Sequence, residues 1–197
     1  MRKWAALLVL VPVLCAGCLA MTKTPQQAAG LAEAQGFADE VTTTYRVYRV
    51  KIIVGGSSMG GWFTYYPQSG WIGVGLQDLE KSNVRLGLVM PLAWATLNFP
   101  TPTQRLWKDD PQQRFAVNHR AVEIGARFLG MAERHMIDRL GGSLVAQSKV
   151  YAANRIQAAK GHDPDVSARF YSVHPCDQLH DLWIHFAVAD PEPACER

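Results

Sequence analysis

The chain is expected to fold as an α+β domain, with a small antiparallel sheet of about three strands in residues 42–75 packed on a C-terminal cluster of helices. Three observations predict this. Residues 42–75 hold runs rich in Thr, Tyr, Trp, Val and Ile, separated by Gly- and Pro-containing breaks, which is strand-and-turn composition. Beyond residue 111, apolar residues recur at helical spacing. The composition is 48% hydrophobic with six Trp and six Tyr, which suits a packed core and excludes a disordered chain.

Arg2 and Lys3 precede an apolar run from Trp4 to Leu14, which ends in Cys15-Ala16-Gly17-Cys18. A positive start, a short apolar stretch and small residues at its end have the pattern of a secretory signal, and the run is too short for the roughly 20 apolar residues of a spanning helix. The segment resembles the lipobox of bacterial lipoproteins, with Cys15 standing where Leu is usual. The resemblance implies cleavage after Gly17 and lipidation of Cys18, so that residues 1–17 form a signal peptide, 18–23 a lipidated linker, and 24–197 one globular domain. It also implies attachment to a membrane through palmitate-type acyl chains. Because Leu19, not Asp, follows the cysteine, the expected location is the periplasmic side of the outer membrane.

Thr24-Pro25-Gln26-Gln27 has the pattern of a helix start, with a capping Thr, Pro at the first helical position and Gln three residues after the cap. This helix is expected to run to about Glu40, weakened by Gly30 and Gly36. Thr42 to Val54 is expected to be a strand. Two further runs, Trp62 to Tyr66 and Trp71 to Gly75, flank Pro67-Gln68-Ser69-Gly70 and predict a β-hairpin. Leu76 to Ser82 is expected to be a helical turn, and the nearly uncharged Val84 to Leu97 a buried helix bent or started at Pro91. Phe99 to Pro111 reads as an exposed loop. A helix follows until Gly141-Gly142, a second runs from Ser143 to Gly161, a third starts at Pro164, and a fourth starts at Pro175 with Leu179, Leu182, Trp183 and Phe186 on one face.

Two constellations point toward chemistry. Gly56-Ser57-Ser58-Met59-Gly60 follows a strand and resembles the nucleophile elbow of α/β-hydrolases, which implies Ser58 as nucleophile, Asp109 or Asp110 as acid and His174, His180 or His185 as base. The set Ser58, Asp110 and His174 is the catalytic alternative, that of a serine esterase. Pro67 to Gly70 interrupts the chain where the elbow's helix should run, and few residues precede the elbow. Separately, the element order and Glu123-Ile124-Gly125-Ala126-Arg127 resemble the scaffold of gluzincin-type zinc peptidases, with Glu123 in the place of their ligand glutamate. Val84 to Leu97 lacks the H-E-x-x-H ligands, so the likeness implies a scaffold without metal or other cofactor.

If Cys18 carries lipid, the pair left in an oxidising compartment is Cys176 and Cys195, expected to form a disulfide closing a loop of about 20 residues, for which chain entropy gives roughly 3 kcal/mol. Loss of Arg2 and Lys3 takes the basic residues from 20 to 18 against 17 acidic ones, a net charge of +1. No field of that size steers a protein onto nucleic acid. Trp62, Tyr65, Tyr66 and Trp71 lie on both faces of the hairpin. They are the candidate interface for an envelope protein partner, of accessory, inhibitor or immunity type.

Overall fold

The computed structural model describes residues 23–55, 63–97, 111–160 and 174–188. Helix α1 (Pro25–Thr44) is followed by strand β1 (Lys51–Gly55), the hairpin β2 (Thr64–Tyr66) and β3 (Trp71–Gly75), and a 3-10 turn (Leu76–Glu80). Helices α2 (Val84–Leu97), α3 (Pro111–Leu129), α4 (Glu133–Ala159) and α5 (Pro175–His185) complete the described chain. This is the expected α+β arrangement, a small sheet against a helical cluster. The sheet itself is mixed, not wholly antiparallel: in the order β1-β3-β2, β2 pairs antiparallel with β3 as a hairpin, while β1 pairs parallel with β3.

Helix α1 begins as its sequence predicts. Thr24 Oγ1 accepts from the Gln27 amide and Gln27 Oε1 accepts from the Thr24 amide, a reciprocal capping box. Its end departs from expectation, since Thr42, Thr43 and Thr44 are helical instead of opening the strand. The hydroxyls of Thr42 and Thr44 donate to the carbonyls four residues back, at Ala38 and Glu40, which accommodates β-branched residues in a last helical turn. The helix then closes with two bonds, Val47 N–H to Thr42 C=O and Arg46 N–H to Thr43 C=O, and Arg46 takes φ of 54°. Helix α5 ends the same way, with Ala187 at φ 51°. Side chains disfavour this left-handed conformation, so Arg46→Gly and Ala187→Gly are each expected to raise unfolding stability by about 1 kcal/mol in chemical denaturation.

The core is continuous through the described elements. Phe37, Ala38 and Val41 of α1 meet Ile52, Ile72 and Val74 of the sheet, Leu88 and Leu92 of α2, Val122 and Ile124 of α3, Ile137 of α4 and Leu182 of α5. Helix α2 runs through Pro91 without a break, so the proline does not start it. Gly141 and Gly142 do not end a helix either. The break lies at Gly130, with φ of 62°, and α4 continues through Gly141, whose bare backbone faces Leu179 of α5. The expected helix from Pro164 lies outside the described residues.

Candidate functional site

The hairpin distributes its aromatic residues by strand alternation. Tyr65 pairs with Ile72 on the core face and packs against the core. Tyr66 pairs with Trp71 on the outer face, and Lys51 of β1 pairs with Trp71 from the other side. A row Lys51–Trp71–Tyr66 therefore crosses the sheet on its outer face, with Tyr66 43% and Trp71 42% exposed. Gly73 lies next to them in β3, and a Cβ there would come within 3.1 Å of the Tyr66 ring. The missing side chain lets the phenol lie flat across the strand. Trp62, the fourth expected member, lies outside the described residues.

The segment joining α1 to β1, expected as strand, is irregular and adds further exposed residues. Val47 and Val50 turn inward, while Arg46, Tyr48, Arg49 and Lys51 are exposed, Tyr48 at 89%. Together with the Pro67–Gly70 turn and Ala95 of α2, this segment encloses a cleft of about 210 Å³. Val47, Val50, Tyr65 and Ala95 supply apolar walls, and Tyr48 and Arg49 border the opening. Burial pushes the Tyr65 phenol up from its ordinary value, so it stays protonated at neutral pH.

A polar network fixes this segment. The Gln35 side chain acts as a substitute strand: its Oε1 accepts from the Ile52 amide at 2.8 Å and its Nε2 donates to the Val50 carbonyl at 2.9 Å. It thereby covers part of the free edge of β1, which would otherwise offer those groups to another chain. Gln35 also donates to Asp39, which holds Arg49 through two bonds, Nε to Oδ1 at 2.8 Å and Nη2 to Oδ2 at 2.7 Å. The hydrogen bond from Arg49 holds the Asp39 carboxyl below its usual value. A carboxyl depressed on folding stabilises the fold above its unfolded value, and the contribution is lost as pH falls through the folded value. Acid unfolding of Arg49→Ala, followed by circular dichroism below about pH 4, is expected to be less steep than that of the wild type.

The other singled-out residues fall in different places. Cys18, Ser58, Asp110 and Cys195 lie outside the described residues. His174 is the N-cap of α5, its Nδ1 accepting from the Cys176 amide at 3.2 Å, so that ring nitrogen has a structural task. Cys176 sits buried in the first turn of α5. Glu123 pairs with Arg120 at 2.9 Å, and Arg120 lies over the Tyr45 ring. His119, which has no partner nearby in sequence, meets Asp181 of α5 at 2.5 Å and stacks on His185 with centroids 3.7 Å apart. This arrangement fastens α3 to α5. Its near-parallel rings do not converge on a point, and among the described residues no three His, Cys, Asp or Glu are placed to hold a metal ion.

No helix among the described residues is long and apolar enough to cross a membrane. No protein-family model matches the chain, and no curated protein or solved structure is detectably similar to it.

Proposed function

We propose that the chain is a lipid-anchored envelope protein that works by binding a protein partner through the hairpin tip. The observation that carries this reading is the row of Trp71 and Tyr66 on the outer face of the sheet, with Tyr48 projecting beside the adjoining cleft. Tyr and Trp offer large contact area with few rotatable bonds, and they dominate the energetics of protein interfaces. The anchor rests on the signal pattern ending at Cys18. Pro25 follows it closely, and the first turn of α1 packs on Glu80 through Gln26 and Gln27. From Pro25 to Asp39, at the level of the cleft, the helix spans roughly 20 Å. A domain tethered at Cys18 can therefore hold its aromatic tip away from the bilayer, toward a partner in the periplasm. In that compartment Cys176 pairs with Cys195.

Because Tyr66 and Trp71 contribute little to the core, Tyr66→Ala and Trp71→Ala are expected to weaken partner capture from envelope extracts by about 2 kcal/mol in affinity, with melting temperatures within a degree or two of wild type. Full capture by both variants would remove the hairpin as the partner surface. The anchor is tested separately by metabolic labelling with a palmitate analogue, which should mark the wild type and not Cys18→Ala.

A further inference from the structure

We infer that Gln35 and Asp39, which lie on α1 outside the aromatic surface, are positioning residues for Tyr48 and set how strongly the partner is held through it. This deepens the partner-binding reading and rests on it. Past the close of α1, where Val47 N–H bonds the Thr42 carbonyl, the sheet begins with the bond from Lys51 N–H to the Gly70 carbonyl. Tyr48, Arg49 and Val50 cross the surface between these two bonds. Among the described residues their backbone makes a single hydrogen bond, in which the Val50 carbonyl accepts from Gln35. Tyr48 is 89% exposed, so contacts of its own ring do little to hold it. Its direction is set by its neighbours.

Those neighbours are held from α1. Gln35 and Asp39 are four residues apart in a helix, so they reach the segment from the same side. Gln35 grips its backbone at Val50, and Asp39 grips its side chain at Arg49 with both carboxylate oxygens. The two grips share an atom: Asp39 Oδ1 accepts from Gln35 Nε2 and from Arg49 Nε, each at 2.8 Å, so loss of one loosens the other. Ala34, Phe37 and Ala38 beside them are buried in the core, which makes the base of the clamp rigid. A segment ordered before contact spares the complex the entropy of ordering it, whereas each residue left free lowers affinity roughly five- to thirty-fold. Gln35 and Asp39 therefore act on the partner through Tyr48 without touching it.

The test has two arms, backbone relaxation by NMR on the purified full chain and photo-crosslinking in intact envelopes from a photoreactive residue at position 48 or 66. Gln35→Ala, Gln35→Asn, whose amide is one carbon too short to make both of its bonds to the segment, and Asp39→Ala are compared with Gln26→Ala, which removes an amide bonded to Glu80 elsewhere on α1. In the first three variants the amide order parameters of Tyr48 and Arg49 are expected to fall below about 0.6. The cross-link from position 48 is expected to drop about ten-fold, while that from position 66 stays within about two-fold of wild type. Gln26→Ala should change neither. Unchanged order at Tyr48 in Gln35→Ala and Asp39→Ala, wild-type behaviour of Gln35→Asn, or a parallel loss of both cross-links, which marks general loosening of the fold, would each overturn the inference. Should Gln35→Ala not fold, Asp39→Ala decides by the same criteria, since its ion pair with Arg49 is largely at the surface. Relaxation is read without the partner, so failure there leaves the partner-binding reading standing. That reading fails separately, and takes the inference with it, if the wild type gives no cross-linked product from either position.

Discussion

Gly30→Ala is expected to destabilise the protein by about 3 kcal/mol or more, while Gly36→Ala in the same helix is expected to stabilise it by about 0.5–1 kcal/mol. Both glycines lie inside α1, where Gly is less favourable than Ala by roughly 1 kcal/mol. They differ in what lies beyond the backbone. A Cβ on Gly30 would sit 1.9 Å from the carbonyl oxygen of Leu79 and 2.8 Å from its carbon, so the clash is with main chain that cannot rotate away. Gly30 is what allows α1 to press on the 3-10 turn, and through it to fix the end of β3. A Cβ on Gly36 meets nothing within 4 Å. Urea denaturation of the two variants checks this, and similar midpoints for both would contradict the close approach of α1 to Leu79.

Lys81→Met is expected to cost about 3 kcal/mol, although Lys81 is itself largely exposed. Its ammonium lies 2.5 Å from Oδ1 of Asp78, a residue only 2% exposed, whose Oδ2 has no hydrogen-bond partner among the described residues. Removing the lysine leaves a buried carboxylate without its counter-charge, which is far worse than removing both members. The double variant Lys81→Met with Asp78→Asn is therefore expected to recover most of the lost stability. Equal destabilisation of the single and the double variant would show that Lys81 acts through packing and not through Asp78.

Local chemistry in the sequence marked several elements well because it acts over a few residues. The capping box at Thr24, the Pro/Gly turn between β2 and β3, the apolar run that became α2 and the proline that starts α5 each act within one or two turns of chain. Features set by distant partners leave no such local mark. The Thr42–Thr44 run has strand propensity, but the helix continues because its hydroxyls bond back and its end closes on Arg46. The Gly141-Gly142 pair reads as a stop, yet one of these glycines is where α4 approaches Leu179. Parallel pairing of β1 with β3 carries no turn signal at all.

The candidate site divides along the same line. Tyr66 and Trp71 were legible because they flank the turn, and alternation places them on one face. Tyr48, Arg49 and the cleft were not, since their exposure depends on Gln35 and Asp39 holding the segment from α1. The pairing of His119 with Asp181 spans 62 residues and leaves no local trace in the sequence.

Site-specific photo-crosslinking in intact envelopes tests most directly whether the hairpin tip faces a protein partner. A photoreactive amino acid is placed at Tyr48, at Tyr66 and, as a reference, at Ile184, an exposed apolar position on α5. The expected result is a discrete cross-linked protein product from Tyr48 and Tyr66 and none from Ile184. Absence of product at Tyr66 and at Tyr48 beside the adjoining cleft, or the same product from Ile184, would contradict the assignment of this surface.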